Sequence, residues 1–394
     1  MFKKFLEKTF KYGTLEVIDY DGKKYIFGNS EPFTSIKFHK KDIKKKLYLN
    51  PELYLGEAYV DGDITIENGD LETFINIVSK NYNYIVKDFT HHILDLINLF
   101  AEFFQRGNLQ DISKKNVSHH YDINEEIYKL FLDKDMQYSC AYFHNENISL
   151  DQAQIDKKNH LIKKLNINKN NMKVLDIGSG WGGMALQIAK DTGAYVKGVT
   201  LSDNQYVTSK KRAKELSLDS KVDFDLIDYR NLNEKFDRII SVGMFEHVGK
   251  KEYQKFFKKI YDLLNDEGVC VLHTIGTMHP PSKTNPWIKK YIFPGGYIPS
   301  LSDIVPVIEK NKLWINDIEF LQLHYATTLK NWRINFNRNR EKISKILDEK
   351  FCRMWEFYLL SSEYSFRNLG NQVFQIQITK NLDNLPFTRN YIYN

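Results

Sequence analysis

Cysteine is scarce in this chain of 394 residues, which contains only three. Cys140, Cys270 and Cys352 lie far apart, with neither the spacing of a metal site nor the regular pattern of a disulfide framework. Unpaired thiols suit a reducing compartment. We therefore expect a cytoplasmic protein without structural disulfides or a bound metal.

Long apolar runs are also missing. Residues 1–13 lack the apolar stretch of a signal peptide. No segment approaches the ~20 apolar residues of a membrane-spanning helix, and the most apolar one, residues 93–104, is interrupted by Asp95, Asn98 and Glu102. The sequence predicts a protein that can lie on a membrane without crossing it.

Long blocks of like charge are absent too, although lysine and arginine (56) outnumber aspartate and glutamate (50). Scattered basic residues do not suggest nucleic-acid binding. They suit an anionic membrane surface, which attracts each nearby basic side chain by roughly 1 kcal/mol, but an ordinary solvated surface has the same composition. The 26 Phe and 24 Tyr residues leave a similar choice between an aromatic-lined pocket and a codon bias that also favours Lys, Asn and Ile.

The N-terminal region has the features of a small α+β domain. Short strand-like runs, such as residues 14–20 and 24–28, are separated by turn dipeptides. The dipeptides are Asp21-Gly22, Asp61-Gly62 and Asn68-Gly69. Asp70 can cap a helix whose apolar residues share one face.

A longer amphipathic stretch, residues 88–104, fits a membrane-surface helix, a dimer interface or a helix packed into a core. The polar residues 105–118 follow it, and we place a domain boundary there. This gives an N-terminal domain (1–110) for lipid binding or dimerisation and a catalytic domain (111–394).

From residue 119 onward, apolar runs of strand length alternate with helical segments. The predicted strands are residues 172–177, 194–201, 222–226, 236–242 and 268–275. Ser149 begins a sequence typical of a capping box, which places a helix ahead of the first strand. Alternating β and α predicts an α/β domain with a mostly parallel sheet flanked by helices. Two late strands, residues 318–325 and 372–379, add an antiparallel pair at one end and bring the sheet to seven strands.

A glycine-rich loop, Asp176-Ile-Gly178-Ser-Gly180-Trp-Gly182, follows the first of these strands and opens the next helix. Glycines let the backbone turn sharply and approach a ligand. The dinucleotide fingerprint has its third glycine three residues after the second and needs no acid at the strand end. An acid two residues before the first glycine can instead bind a cationic or hydroxyl-bearing group, such as the amino-acid part of S-adenosylmethionine. We predict cofactor contacts from Asp176, Gly178, Ser179, Gly180, Trp181 and Gly182; a purely structural turn is the alternative.

The loops after the next two strands supply further candidates. The second strand ends without the acid that commonly binds a ribose, and polar contacts from Thr200, Ser202 and Gln205, beside Leu201, can replace it. After the third strand, Asp228 can accept a hydrogen bond from an adenine amino group, and an apolar face of Tyr229 can cover the ring. An ordinary turn residue is the alternative for Asp228.

Several sequence motifs, taken together, are similar to those of one known family. They are His120-Tyr-Asp, Met136-Gln-Tyr-Ser-Cys-Ala-Tyr-Phe143, Gly178-Ser-Gly-Trp-Gly182, Gly198-Val-Thr-Leu-Ser202, Gly243-Met-Phe-Glu-His-Val-Gly249, Leu272-His-Thr-Ile-Gly276, Tyr291-Ile-Phe-Pro-Gly-Gly296 and, near the N-terminus, Leu55-Gly-Glu-Ala-Tyr-Val-Asp-Gly-Asp63. This combination resembles the signature of cyclopropane-fatty-acyl-phospholipid synthases. The resemblance covers nearly the whole chain and is more specific than a glycine loop alone.

The resemblance implies a class I methyltransferase (Rossmann-like) fold with S-adenosylmethionine as the methylene donor. Tyr138 and Ser139 would contact the cofactor. It also implies a bicarbonate ion beside the reacting carbon, and the groups expected to hold that ion are the side chains of Glu246, His273 and Tyr325 and backbone groups of Cys140 and Ile275. The expected partners are unsaturated phospholipids of the inner membrane face and a second copy of the chain, in a homodimer.

Two departures from the family pattern are visible. The usual Gly-Asn-Asp that follows His-Tyr-Asp is replaced by Asn124-Glu-Glu126, which we expect to alter a helix start. Relatives often carry a late cysteine that has been considered as a nucleophile, and this sequence has Ser362 at the matching place, with Cys352 ten residues earlier. A covalent thiol mechanism is therefore not expected.

The expected chemistry explains why such groups are needed. An alkene is a weak nucleophile, so alignment with the donor methyl must supply much of the acceleration. The reaction leaves a carbocation that aromatic faces stabilise and that water must not reach. A base then removes a proton from the new methyl group and the ring closes. Bicarbonate can be that base if Glu246 shares a proton with it, which predicts a raised pKa at Glu246.

Other interpretations of these residues and of the whole chain stay open. Glu246 can instead cap a helix, and His273 and Tyr325 can be ordinary core residues. The protein can also methylate an acyl-chain alkene, or a small amine or phenol, without ring closure. A non-catalytic lipid-binding protein is the third possibility, although the intact glycine loop speaks against it.

Overall fold

The structure is a computed structural model, and the residues it describes are 2–86 and 125–393. By their internal contacts the residues form two compact units. Of the described residues, unit 1 comprises 2–86, Asn285–Ile292 and Leu329–Gly370. Unit 2 comprises 125–284, Phe293–Thr328 and 371–393.

The units differ from the two continuous domains that the sequence predicted. Two late segments, Asn285–Ile292 and Leu329–Gly370, group with the N-terminal residues. No local sequence signal marks them, because the grouping arises from packing between distant parts of the chain. The predicted boundary near residue 110 and the predicted helix at 88–104 both lie outside the described residues.

Helices and strands follow one another along the described chain. In chain order they are α1 (Phe2–Thr9), β1 (Thr14–Ile18), β2 (Lys24–Phe27), β3 (Phe33–Phe38), α2 (Ile43–Leu49), α3 (Pro51–Val60), β4 (Ile64–Asn68), α4 (Leu71–Val86), α5 (Glu125–Phe131), α6 (Leu150–Leu165), β5 (Lys173–Ile177), α7 (Gly183–Thr192), β6 (Tyr195–Thr200), α8 (Asp203–Glu215), β7 (Val222–Leu226), β8 (Phe236–Val242), α9 (Tyr253–Leu263), β9 (Leu264–Thr277), α10 (Pro286–Tyr291), α11 (Leu301–Lys310), β10 (Trp314–Phe320), α12 (His324–Arg338), α13 (Arg340–Ile346), α14 (Glu349–Asn368), β11 (Asn371–Thr379) and α15 (Asn390–Tyr393).

Unit 1 is a small α+β unit, as the sequence predicted. Its sheet has the strand order β2-β1-β3-β4, with β1 and β3 parallel and the other neighbours antiparallel. The predicted turns are confirmed, since Gly22, Gly62 and Gly69 have φ of 84°, 75° and 84°. Asp70 caps α4, because its Oδ1 accepts a 2.7 Å hydrogen bond from the backbone N–H of Thr73.

Unit 2 contains the predicted seven-stranded sheet, with the order β10-β11-β9-β8-β5-β6-β7. The strands from β9 to β7 are parallel, and β10 and β11 form the predicted antiparallel pair at one end. Side chains alternate between two buried clusters, so that Leu175 of β5 lies in one and Val174 in the other. Both faces are therefore covered, as expected for a parallel sheet.

One predicted strand is misplaced. The sequence placed a strand at residues 318–325, whereas β10 ends at Phe320 and α12 begins at His324. The chain leaves the sheet in a tight turn, in which Gln322 has φ of 35° and the backbone N–H of His324 donates to the carbonyl of Leu321 at 2.8 Å. The apolar residues of this turn extended the strand pattern, and Tyr325 consequently lies in the first turn of a helix.

Within residues 2–86 and 125–393, none of the helices combines the length and the apolar character that crossing a bilayer requires. The parallel strands β5 to β9 all end at the same edge of the sheet. Ligands of open α/β sheets bind outside this edge.

Candidate active site

The glycine loop forms the turn from β5 to α7. Gly178, Gly180 and Gly182 have φ of 80°, 54° and 83°, a region that residues with a Cβ rarely adopt. A Cβ on Gly178 would also lie 2.7 Å from the Cβ of Met244. The sequence therefore needs glycine here to bring the backbone around the edge of the sheet.

A cavity of about 150 Å³ opens beside this loop, which is much more room than one water molecule needs. Most of the residues predicted to bind a cofactor line it. They are Tyr138, Ser139, Asp176, Gly178, Ser179, Gly180, Trp181, Thr200, Leu201, Gln205, Asp228 and Tyr229. The fold thus brings the ends of three strands and the Tyr138–Ser139 segment to one place.

Two predicted cofactor residues, Gly182 and Ser202, are not among the residues that line the cavity. A Cβ on Gly182 would lie 2.7 Å from Cζ of Phe224, so this glycine is needed for close packing behind the loop. The Ser202 hydroxyl accepts a hydrogen bond from the backbone N–H of Gln205 and caps α8. Both residues stabilise the segments that form the cavity and do not line it themselves.

Asp176 is the most deeply buried acid that lines the cavity, 1% exposed. Burial raises the pKa of Asp176 to about 7, against the smaller opposing effects of Lys157 and of the Ala185 backbone N–H. Its Oδ2 atom, like the Ser179 hydroxyl, is buried without a hydrogen-bond partner among the described residues. Unpaired buried polar atoms cost about 1–3 kcal/mol each, so both atoms fit a ligand with ammonium or hydroxyl donors, as the amino-acid part of S-adenosylmethionine has.

Asp228 is held by its neighbour Arg230. The guanidinium donates to both carboxylate oxygens, with Nε–Oδ1 of 2.9 Å and Nη2–Oδ2 of 2.6 Å. The predicted hydrogen bond from an adenine amino group must therefore use a remaining lone pair of this carboxylate. Tyr229 lies against Phe256 in an edge-to-face contact, with centroids 5.7 Å apart, and this contact fixes the ring beside the cavity.

Lys157 of α6 is a buried residue of the site that the sequence interpretation missed. Its Nζ donates to Oε1 of Gln137 at 2.7 Å and to the hydroxyl of Ser139 at 2.8 Å. Burial lowers the pKa of Lys157 to about 8. The signal was its spacing, because Lys157 falls on the same helical face as the buried Ala153 and Leu161.

Glu246 lies just beyond β8, in a short helical turn between Met244 and His247, both of which line the cavity. Its Oε1 accepts a 2.6 Å hydrogen bond from the backbone N–H of Ile275. Its Oε2 is buried and has no partner among the described residues. Burial raises the pKa of Glu246 to about 7, as the sequence interpretation expected. A half-protonated carboxyl with one free oxygen fits a proton-bearing oxyanion such as bicarbonate.

His273 and Ile275 lie on β9, next to the end of β8. Val242 and His273 are partners in the parallel ladder, and the N–H of Gly243 donates to the carbonyl of His273 at 2.9 Å. His273 is 2% exposed, and burial, helped by the positive charge of Lys157, holds its pKa well below the usual value. The imidazole is therefore neutral near pH 7. Backbone groups of Ile275 were predicted to contact the anion, and its N–H donates to Glu246.

The segment that contains Cys140 contacts α12, the helix that contains Tyr325. The backbone N–H of Ala141 donates to the hydroxyl of Thr328 at 3.0 Å, three residues after Tyr325. Tyr325 is 7% exposed and Cys140 is 1% exposed. Ser139, next to Cys140, packs beside Gly243, where a Cβ would lie 3.7 Å from that of Ser139. Ser139 and Cys140 therefore lie near Gly243, whose backbone bonds to His273 of β9.

The three cysteines are all buried and unpaired. Burial raises the pKa of Cys270 to about 12 and that of Cys352 to about 11, and it raises the pKa of Cys140 further. None of them is therefore a ready nucleophile, which agrees with the expectation from Ser362. The described residues also contain no cluster of His, Cys, Asp or Glu that can hold a metal.

Residues 109–376 match the family described as mycolic acid cyclopropane synthetase. Residues 1–89 match a family described only as a domain of unknown function. The chain is 36% identical over 361 residues to the cyclopropane-fatty-acyl-phospholipid synthase of Escherichia coli (strain K12), with 90% of each chain covered. It is 33% identical over 385 residues to a protein of Pseudomonas putida named "Probable fatty acid methyltransferase", with 95% of each covered.

A solved structure supports the same assignment. The mycolic acid cyclopropane synthase CmaA1, crystallised with SAH and CTAB, aligns with a TM-score of 0.64 at 31% identity. The alignment covers 67% of this chain and 97% of that one. Because these relatives are enzymes, the hypothesis of a non-catalytic lipid-binding protein is not supported. The chain belongs to the mycolic acid cyclopropane synthetase family and is an enzyme of the class I S-adenosylmethionine-dependent methyltransferase type.

Proposed function

We propose that this enzyme transfers a methylene group from S-adenosylmethionine to the cis double bond of an unsaturated phospholipid acyl chain, with bound bicarbonate as the general base. The observation that carries the proposal is the pair formed by Glu246 and the end of β9, where one carboxyl oxygen is fixed by Ile275 and the other is unpartnered.

The donor is held by the glycine loop and by two acids. When bound, S-adenosylmethionine supplies an electrophilic methyl group on a positively charged sulfur. Asp176 would accept from the ammonium group through its free Oδ2, and Asp228, which Arg230 holds, would accept from the adenine amino group. Tyr138 and Trp181 line the cavity, and the aromatic rings of both pack against Tyr128. Aromatic faces favour a nearby cation and exclude water.

Glu246, His273 and Tyr325 would hold the base. When bound, bicarbonate supplies a weak base that can take the proton released as the ring closes. Glu246, with a pKa of about 7, can donate its carboxyl proton to this anion instead of repelling it. Neutral His273 adds a neutral hydrogen-bond donor. Tyr325 is buried and can donate through its hydroxyl. The backbone of Cys140 contributes without its thiol.

A product analysis tests the reaction. The full chain is incubated with S-adenosylmethionine and vesicles of a monounsaturated phospholipid, with and without removal of dissolved bicarbonate. We expect acyl chains heavier by one CH₂ that resist hydrogenation, and a slower reaction without bicarbonate.

The similarity to a fatty acid methyltransferase favours branched methylation as the second candidate. A product that takes up hydrogen, or that fragments as a methyl branch, would establish it. An unchanged rate without bicarbonate would remove that ion from the mechanism.

We also propose that the enzyme reaches its lipid by binding an anionic bilayer surface through unit 1. Residues 1–49 contain twelve lysines and six acidic residues, an excess equal to that of the whole chain. Lys41 and Lys45 are exposed around the start of α2. Exposed apolar groups accompany them, with Tyr20 at 43%, Ile26 at 65% and Leu49 at 43% exposure. Basic and apolar side chains together are typical of surfaces that lie on a membrane. The homodimer stays a prediction, which light scattering of the full chain can test.

A further inference from the structure

His273 has a polar partner on the neighbouring strand. Gln375 of β11 is its partner in the antiparallel ladder. On the other side, Gln375 pairs with Glu319 of β10. Gln375 has no exposed surface. A polar row therefore crosses three strands at a level where the neighbouring positions of β11, Phe374 and Ile376, are apolar and fully buried.

The contact between the two side chains is direct. Nε2 of Gln375 lies 3.2 Å from Nδ1 of His273. A side-chain amide nitrogen only donates, and a neutral imidazole has one donor and one acceptor nitrogen. If Gln375 donates to Nδ1, the ring proton of His273 must lie on Nε2.

The surroundings keep this imidazole neutral. Burial opposes a second proton on His273 most strongly, Lys157, Lys164 and His160 add to this effect, and Glu319 only partly offsets it, so the pKa of His273 is low. Lys164 and His160 are themselves bound to the carboxylate of Glu319, the latter at 2.6 Å. The ring is therefore neutral, and its tautomer decides which of its nitrogens can donate.

We propose that Gln375 is a positioning residue that holds His273 as the Nε2–H tautomer. This inference rests on the proposed function, and it gives His273 a definite part in it. With Nδ1 occupied, the ring offers Nε2–H to the bound anion as a hydrogen-bond donor. It does not take the proton released on ring closure. His273 orients the base, and the base is the anion.

Nitrogen-15 NMR of the histidine-labelled full chain tests the tautomer without any turnover. The His273 signals are identified by their loss in His273→Gln. We expect Nε2 to carry the proton and Nδ1 to be unprotonated from about pH 6 to about pH 8. A protonated Nδ1 in the unaltered protein would overturn the proposal, because Gln375 would then accept through its oxygen.

Variants of Gln375 and Gln377 provide a second test of the proposal. In Gln375→Glu the new carboxylate accepts from Nδ1–H, so we expect the tautomer of His273 to reverse. We expect kcat to fall about 10- to 100-fold, which is the loss seen when residues that orient metal-bound histidines are removed. The KM for S-adenosylmethionine should be unchanged. Gln377→Leu is the matched control, since Gln377 lies two residues along the same strand and contacts Lys164 and Tyr391. It should keep the tautomer.

The outcomes separate this inference from the proposed function. Reversal of the tautomer in Gln375→Glu with full turnover would overturn the positioning role, even if the product is a cyclopropane. If the unaltered enzyme forms no cyclopropane, the proposed function fails, and the tautomer measured by NMR still decides whether Gln375 fixes the ring. Should Gln375→Glu fail to fold, the NMR measurement on the unaltered chain remains decisive.

Discussion

The backbone N–H of Ile275 donates a 2.6 Å hydrogen bond to Oε1 of Glu246, and this contact fixes the carboxyl so that Oε2 remains buried without a partner among the described residues. Glu246 follows β8 and Ile275 lies near the end of β9, so two adjacent parallel strands define the geometry. A buried carboxyl with a pKa of about 7 is suited to exchanging a proton near neutral pH.

Glu246→Gln should retain the hydrogen bond to Ile275 and lose proton exchange. An amide can donate to the anion, but it cannot share a proton with it, so we expect kcat to fall about 10²- to 10⁴-fold. Binding of S-adenosylmethionine, measured by calorimetry, should be unchanged. Full turnover in this variant would remove Glu246 from the reaction.

His273→Ala should also lose turnover while the cofactor still binds. The residue is buried, so the cavity left behind is expected to lower the free energy of unfolding as well. A second variant, His273→Asn, keeps one donor and separates the two effects. We expect the asparagine variant to be more stable and more active than the alanine variant. Equal turnover of both with the unaltered enzyme would make His273 an ordinary core residue.

Asp176→Asn should weaken binding of S-adenosylmethionine about 10- to 100-fold, because a charge-assisted hydrogen bond is worth about 1.5–3 kcal/mol. The burial that raises the pKa of Asp176 to about 7 also predicts a pH dependence. An ammonium group prefers the ionised acid, so affinity should rise from about pH 6 to about pH 8 and then level off. Asp176→Asn should not show this rise, and the exposed Asp219→Asn should behave as the unaltered chain does. Calorimetry across this range checks both points, and a pH-independent affinity in the unaltered enzyme would contradict the assignment.

Cys140→Ser and Cys352→Ser should keep substantial turnover, because both thiols are buried with raised pKa values. Thiol alkylation at neutral pH should be slow in the folded enzyme and rapid after denaturation. Loss of activity in both variants would revive a covalent mechanism.

Much of the fold was predictable because its signals are local. Glycine and cap residues such as Gly69 and Asp70 act within a few positions, and the alternation of strands and helices predicted the parallel sheet. The end of β10 was placed wrongly, because the apolar residues Leu321 and Leu323 continue the strand pattern through a turn. The membership of residues 329–370 in unit 1 depends on packing between distant segments, which no local pattern reports.

Only part of the site was predictable from the sequence. Residues at strand ends, such as Asp176 and Thr200, were found because the carboxyl edge of a parallel sheet is a common binding place. Lys157 and Gln375 were missed, since a lone lysine or glutamine in a periodic segment normally faces solvent. The helical spacing of Lys157 indicates burial, but its contact with Ser139 is what places it in the site, and Gln375 is identified only by its contact with His273.

Lys41→Gln combined with Lys45→Gln should weaken binding to anionic vesicles by about 2 kcal/mol, or roughly 30-fold, at about 1 kcal/mol per residue. The matched control is Lys169→Gln with Lys190→Gln, two exposed lysines of unit 2 that make the same change in net charge. Vesicle flotation measures both pairs. An equal effect of the two pairs would indicate net charge rather than a surface on unit 1.

Ring closure by proton removal from the transferred carbon is the central step of the proposed reaction. The most direct test uses S-adenosylmethionine with a fully deuterated methyl group, monounsaturated phospholipid vesicles and mass spectrometry of the released acyl chains. A base that takes one hydrogen from the transferred methyl leaves two deuterium atoms in the product, which is the predicted result. Retention of all three deuterium atoms, or acyl chains without deuterium, would contradict the account.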